Sequence, residues 1–491
     1  MKTLLPYLKP YRKQCIVSPL FKLLEAVLEL LVPLVMAAII DRGIANGDTA
    51  YVLRMGLLLV GLGALGLACS VTAQYFAASA ATGFAASLRS ALFAHIQSLS
   101  YTELDGVGAP TLVNRLTTDL NQVQTGVNMT LRLLLRSPFV VFGAMLMAFT
   151  VDARAALIFV ALIPLLFAAV WGVMRLTLPR HKQVQGQLDR VLLRVRENLT
   201  GVRVLRAFNK QQDEIDDFTA ESDTLYGMQR RVGRISALMN PMTSALVNLA
   251  LIALLYVGAK QVDGGVLLTG SVVALVNYLS QILVELVKLA NLIITITKSL
   301  ACASRVESVM NLPVSMRESE TPQAPHTTED EIVRFDHACA RYAGAGAESL
   351  TDISFAVLRG QQIGVIGGTG SGKSTLVNLI PRFYDVSAGA VLVNGVDVRE
   401  QATQTLRRAI GVVPQKALLF AGTIRQNLLW GNESATDDDL WRALETAQAA
   451  EIVRHKENGL DEVIEQNGRN LSGGQKQRLT IARALVRQPA I

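Results

Sequence analysis

Gly364–Thr375, read GVIGGTGSGKST, decides how the C-terminal third of the chain is built. It begins among β-branched residues (Ile363, Val365, Ile366) and opens onto LVNLIPRF, so the predicted local order is strand, tight turn, helix. Gly367, Gly372, Lys373 and Ser374 fill the fixed places of G-x-x-x-x-G-K-[ST], with Gly368, Thr369, Gly370 and Ser371 between them and Thr375 following. Each residue type has a physical reason. Glycines let the backbone turn its N–H groups inward toward phosphate oxygens, where a side chain would block the approach. Lys373 brings a cation to the same oxygens, Ser374 offers a hydroxyl to Mg²⁺, and the helix that starts there adds its positive end. The implied ligand is a nucleoside triphosphate such as ATP, with Mg²⁺.

About a hundred residues downstream, Leu471–Gln475 reads LSGGQ and runs into KQRLTIARAL. This predicts a helix whose N-terminus carries Ser472, Gly473, Gly474 and Gln475, a second anion site. One triphosphate in one domain has no use for both, so the second site is expected to serve a nucleotide held by another copy. Gln415 ends the apolar run GVVP, where a neutral side chain can reach Mg²⁺ or a water near the γ-phosphate.

Upstream, NLPVSMRESETPQAPHTTED, residues 311–330, is polar and Pro-containing, a linker. Beyond it come short β-like runs, EIVRFDHA, SLTDISFAV, QQIGVIG, GAVLVNG and AIGVVPQ, with helices alternating after the phosphate loop. Residues 331–491 therefore read as an α/β nucleotide-binding domain.

Residues 1–310 are of another kind. The chain is 51% hydrophobic and only 18% charged, too apolar for an ordinary soluble enzyme. Long stretches without Lys, Arg, Asp or Glu occur at Met55–Leu88, Ala155–Met174, Ile235–Ala259 and Gly264–Val284, and weaker ones at Cys15–Ile40 and Leu131–Val151. Each suits a hydrocarbon core about 30 Å thick, which predicts an all-α transmembrane domain of six helices. The connections DRGIANGDTAYVLR, VDAR and KQVDG balance Arg42, Arg54, Arg154 and Lys260 against as many acidic residues. On the opposite side, Arg175–Arg234 alone holds twelve Lys and Arg. Both termini are thus expected on the cytoplasmic side. The segments 89–136 and 175–234 read as long helical arms, with contact points near Thr111–Leu120 and Gly201–Glu214. Leu4, Leu5, Tyr7 and Leu8 beside Lys9, Arg12 and Lys13 suit a short amphipathic helix on the inner surface.

Charged residues within spans are functional candidates. Lys22, Glu25 and Glu29 share one helical face, as do Gln281, Glu285 and Lys288. Either they line a polar pathway or they pair and neutralise one another; both readings stand. Arg132 and Arg136 are expected to snorkel to the inner interface, and Gly56, Gly61, Gly63 and Gly66 to allow close helix packing. Four scattered cysteines support neither a disulfide framework nor a zinc site. No stretch asks for nucleic acid.

Together, GGTGSGKST, VVPQ with Gln415, LSGGQKQR and Tyr342 ahead of the domain's strands resemble a half-transporter of the ATP-binding cassette exporter family, nearly end to end. ENLTGVRVLRAFNKQQDE and NRLTTDL resemble the family's two cytoplasmic coupling regions. The resemblance implies that Tyr342 stacks on adenine, that Lys373 and the loop amides hold phosphates, and that Ser374 and Gln415 hold Mg²⁺. Ser472–Gly474 would contact the partner's γ-phosphate, and closure of two such domains would drive alternating access. It also implies a second half-transporter as partner, surrounding lipid, an amphipathic substrate and a bacterial inner membrane. The wording is most similar to the heterodimeric multidrug-type branch, in which one half is often catalytically silent and supplies its signature to an active partner. In the family the next residues carry the Mg²⁺-binding aspartate, the catalytic glutamate and a switch histidine. The chain stops at RQPAI, which implies a truncated product that binds ATP weakly and hydrolyses it negligibly.

Overall fold

The computed structural model describes residues 3–326 and 330–491. Residues 327–329 of the expected linker, and residues 1 and 2 of the N-terminal segment, lie outside the described residues. The chain forms two compact units, one of Met1–Phe93 with Val113–Met310, the other of Ala94–Leu112 with Asn311–Ile491.

The helical part opens with a 3₁₀ helix, Leu5–Tyr11, whose Pro6 stands where a missing N–H costs nothing. Helices α1 (Arg12–Ala38), α2 (Thr49–Ser98), α3 (Tyr101–Val107), α4 (Ala109–Asn114), α5 (Leu120–Leu133) and α6 (Arg136–Val151) follow. They are succeeded by α7 (Ala153–Thr200), α8 (Val202–Ala207), α9 (Gln211–Ala237), α10 (Met239–Asp263) and α11 (Thr269–Met310). Six helical runs among them are long and apolar enough to cross a membrane, as the hydropathy predicts. At 1.5 Å per residue α7 is about 72 Å long, more than twice the hydrocarbon thickness, so its C-terminal half is an arm continuous with its span. Arg194 fixes that arm to α9, donating to Glu214 (3.4 Å), Asp217 (2.9 Å) and Glu221 (3.1 Å).

Helices α1, α6, α7, α10 and α11 share a core that includes Leu30, Val140, Phe159, Leu254, Leu275 and Ile282. Tyr278 is buried among them, and its hydroxyl donates to the Leu30 carbonyl at 2.7 Å. Where α5 crosses α11, a Cβ on Gly126 would stand 2.0 Å from Ser299 Oγ, so only glycine admits that approach. Gly56, Gly61, Gly63 and Gly66 do not behave as expected. A Cβ at any of them meets nothing within 4 Å among the described residues, so none marks a close approach of another helix.

The first long connection between spans also differs from expectation. Its turn is α3, Tyr101–Val107, and not Thr111–Leu120, which lies in α4 and a π turn beyond it. The cause is local. Ser100 and Glu103 form a reciprocal capping box that starts α3, and Gly108, at φ +79°, ends it before Pro110. In the second connection, α8 stands where the sequence placed a contact point.

The second unit contains β1 (Glu331–Ala340), β2 (Leu350–Leu358), α12 (Lys373–Leu379), β3 (Ala388–Val393), β4 (Val396–Asp397) and α13 (Thr403–Ala409). It continues with β5 (Gly422–Thr423), α14 (Ile424–Leu429), α15 (Asp437–Thr446), α16 (Ala450–Arg454), β6 (Val463–Ile464) and α17 (Gly473–Val486). One sheet runs β2-β1-β3-β4, antiparallel throughout, with Phe335 opposite both Phe355 and Val391. The Phe335 and Phe355 rings stack at 4.8 Å. A separate apolar cluster, with Leu428, Leu440, Leu444, Leu479 and Val486, joins α14, α15 and α17.

Two of the five expected strands are not strands. Residues 361–367 find no ladder partner, and Ile366 is 98% exposed. The run from 409 gains three bonds: Ala490 and Ile491 amides donate to the Ala409 carbonyl, and the Gly411 amide donates to the Ile491 carbonyl. A β-prone segment is a strand only where neighbouring N–H and C=O groups meet it.

Candidate nucleotide site and membrane charge cluster

The phosphate loop has the conformation its glycines predict. Gly370 and Gly372 both sit at φ +85°, and a Cβ on Gly372 would lie 2.6 Å from the Ser349 carbonyl oxygen. The Lys373 ammonium curls over the loop and donates to the carbonyls of Gly367 (2.9 Å) and Gly368 (2.6 Å) and to Ser371 Oγ (3.4 Å). It is held over the loop by weak, exchangeable acceptors, a fit for phosphate oxygens of higher charge. Ser374 is exposed, and its hydroxyl has no hydrogen-bond partner among the described residues. Gln415 is likewise exposed, on an irregular segment.

Tyr342 is joined to this loop. Its hydroxyl lies 3.0 Å from that of Thr375, on the helix the loop begins. The ring meets Tyr384 edge-on at 5.1 Å. Tyr384 in turn packs 6.0 Å from Tyr101 on α3, while Phe383 stands 4.9 Å from the same ring. The Tyr384 hydroxyl donates to Asp105 at 2.6 Å. Burial, then that carboxylate, push the phenol well above its ordinary range, so it remains a donor. Thr102, Ser315, Tyr342, Thr375, Tyr384 and Asp385 border a cavity of about 260 Å³. Sequence reasoning missed Tyr384 and α3. The signals were present, in the Ser-x-x-Glu box of 100–103 and the aromatic pair in PRFYD.

The second predicted anion site takes the expected form. Ser472 is the N-cap of α17; its hydroxyl accepts from the Gln475 amide (3.3 Å), and Gln475 Oε1 accepts from the Ser472 amide (2.9 Å). Gly473 and Gly474 are exposed, with no neighbour within 4 Å of where a Cβ would stand.

Within the helical bundle the charges pair. Lys22 donates to Glu25 (2.5 Å) and to Ser70 Oγ (3.1 Å). Arg136 does not snorkel. It is buried, donating through Nη1 to Glu285 and through Nη2 to Glu29, each at 2.5 Å. Glu285 also accepts from Lys288 (2.8 Å) and Ser137 (2.9 Å). Once two carboxylate contacts were available inside, the desolvation that drives snorkelling was compensated. The four cysteines are free.

Membrane-length helices fused to a domain with a phosphate loop and a second glycine-started helix define a membrane protein that works with a nucleoside triphosphate. The family description "ABC transporter transmembrane region" matches residues 15–286, and "ABC transporter" matches residues 350–491. The chain belongs to the ABC transporter family, with the make-up of an exporter half-transporter. It is 37% identical over 488 residues to an uncharacterized ABC transporter ATP-binding protein of Mycobacterium tuberculosis, spanning 99% of this chain and 84% of that one. An ATP-dependent lipid A-core flippase of Syntrophus aciditrophicus is 31% identical over 412 residues, 83% of this chain and 67% of the relative. A fatty acid ABC transporter ATP-binding/permease protein of Mycobacterium bovis is 30% identical over 397 residues, 81% and 62% of the two chains.

Proposed function

We propose that the chain is one half of an ATP-driven exporter that moves amphipathic molecules across the bacterial inner membrane, with both termini on the cytoplasmic face. The carrying observation is the open N-terminus of α17. A Cβ at Gly473 or Gly474 would meet nothing within 4 Å among the described residues, so their backbone stands open to a ligand. In this reading the site receives the γ-phosphate of a nucleotide held by a second half-transporter, while this chain's loop and Lys373 hold another. Ser374 and Gln415 hold Mg²⁺, and Tyr342 stacks on the base. The tip of the second connection supports a partner too: Leu199, Val204 and Phe208 expose 73%, 60% and 72% of their surface, an apolar patch that needs cover. Lipid or hydrophobic cargo suits the relatives named for a lipid flippase and a fatty acid transporter.

A catalytically silent half, lending Ser472–Gly474 to an active partner, is the second reading. On both readings the isolated chain binds ATP weakly and turns it over negligibly. Equilibrium binding of ATP to the purified chain, compared with Lys373→Ala, tests this. Binding equal in the two proteins overturns the nucleotide site, and turnover at an ordinary transporter rate overturns the expectation of silence.

A further inference from the structure

The charge cluster in the bundle is an alternating chain, Glu29, Arg136, Glu285, Lys288, and its two ends differ from its middle. Arg136 and Glu285 keep 7% and 3% of their side-chain surface, whereas Glu29 and Lys288 keep 42% and 44%. Glu285, at the middle, is saturated: both its oxygens are occupied, by Arg136 and Lys288 on one and by Ser137 on the other. The outer pair is not. Among the described residues Glu29 uses only Oε2, with no donor on Oε1, and Lys288 spends one of its three N–H groups.

Both open ends border the same cavity, about 370 Å³ in volume, between α1 and α11. Asn277 donates one amide N–H to the Val273 carbonyl and keeps its own carbonyl and a second N–H, while Ser280 donates its hydroxyl to the Val276 carbonyl and turns acceptor capacity outward. Gln281, on the same wall, has its carbonyl oxygen buried without a donor. Val32, Met36 and Val284 supply apolar wall beside them. The cavity therefore offers one carboxylate, one ammonium, neutral amide and hydroxyl groups that include acceptors, and apolar surface, on a cluster whose formal charges sum to zero.

We propose that this cavity binds the headgroup of a zwitterionic amphiphile: a primary ammonium on Glu29 and the neutral acceptors, an anionic group on Lys288, and a tail along the apolar wall. A ligand of zero net charge leaves the balance of the cluster undisturbed, while a pure cation or anion adds an uncompensated charge at membrane depth. Glu29 and Lys288 are specificity-determining residues; Arg136 and Glu285 hold them in place. The inference deepens the export reading by naming a cargo class, and it rests on that reading only for the cavity's use in transport, not for binding.

Calorimetric titration of the detergent-solubilised chain, without nucleotide, tests it. The probes are dihexanoyl lipids with phosphoethanolamine, phosphocholine or phosphoglycerol headgroups, together with N-dodecanoyl-lysine and dodecylamine. At least one primary-ammonium zwitterion, the phosphoethanolamine lipid or the acyl-lysine, should bind about tenfold or more tighter than phosphoglycerol or dodecylamine, and phosphocholine, which has no N–H donor, should be weaker than phosphoethanolamine. Which of the two zwitterions binds better identifies a lipid or an acylated amino acid as the source. Glu29→Gln and Lys288→Gln should each erase the preference. Since Glu29→Gln also removes a partner of Arg136, Asn277→Leu, at an exposed position, provides a second arm. It should weaken zwitterion binding severalfold at an unchanged unfolding temperature. Equal binding of dodecylamine or phosphoglycerol, a preference that survives both charge replacements, or an Asn277→Leu chain that binds as well as the original would overturn the proposal. Headgroup selectivity that persists in Lys373→Ala, when ATP binding is gone, separates this site from the nucleotide reading.

Discussion

The hydroxyl of Tyr384 donates to the carboxylate of Asp105 at 2.6 Å, tying the segment after the phosphate-loop helix to α3. The same ring touches Tyr342 and Tyr101, so one side chain links the base-stacking candidate to α3, the tip of the first long connection. Tyr384→Phe keeps the rings and deletes the bond, a loss of about 1 kcal/mol. Amides of residues 101–107 should then exchange with deuterium about fivefold faster, with the rest of the second unit unchanged. Unaltered exchange there would show that the bond holds nothing.

Acid should loosen the same element by a different group. Burial raises the Glu103 carboxyl, but hydrogen bonds from Ser100 and Ser315 outweigh it and hold the group below the usual range. A depressed carboxylate stabilises the folded state at pH values above its unfolded value, and the contribution is lost as pH falls through the lowered folded value. Opening at 101–107, read as exchange relative to the intrinsic amide rate at each pH, should therefore be flat across neutral pH and rise only in the acid range, and Glu103→Gln should show the acid behaviour at neutral pH. A pH-independent variant indistinguishable from the parent would remove the capping box from the account.

The phosphate loop offers a test by one methyl group. Gly372→Ala puts a Cβ at φ +85° and 2.6 Å from the Ser349 carbonyl, strain of about 1–3 kcal/mol. The loop can relieve it only by moving its amides out of register with a phosphate. ATP binding should fall at least tenfold, while circular dichroism of the helical bundle is unaffected. Retained affinity would mean that the loop does not hold the phosphates.

What could be read from the sequence divides along physical lines. Hydropathy depends on each stretch alone, so the six membrane-length runs were legible, and so were Gly372 and Ser472, whose roles follow from their own backbone. The pairings of Arg136 were not, because a guanidinium on α6 meets carboxylates on α1 and α11 only after the helices pack. Residues 361–367 and 409–415 had strand composition, yet composition cannot supply the neighbour that makes a strand. The cavity beside Glu29 was half legible: one helical face was visible in Gln281, Glu285 and Lys288, whereas the opposing wall was not.

Arg136 is where charge and fold meet most directly, and its removal should be the costliest of these changes. Arg136→Met leaves Glu285 buried with only Lys288 and Ser137, and Glu29 with no partner. Breaking such a network by deleting one member costs about 3–5 kcal/mol, whereas removing both halves of a pair costs much less. The free, buried thiols of Cys69 and Cys302 provide the readout, since a thiol-reactive dye reaches them only when the bundle opens. Thermal release of those thiols should come at a clearly lower temperature in Arg136→Met, and Arg136→Met with Glu285→Met should recover a substantial part of the loss. If the double replacement is as unstable as the sum of the singles, the two residues are uncoupled and the cluster is not what holds α6 to α11.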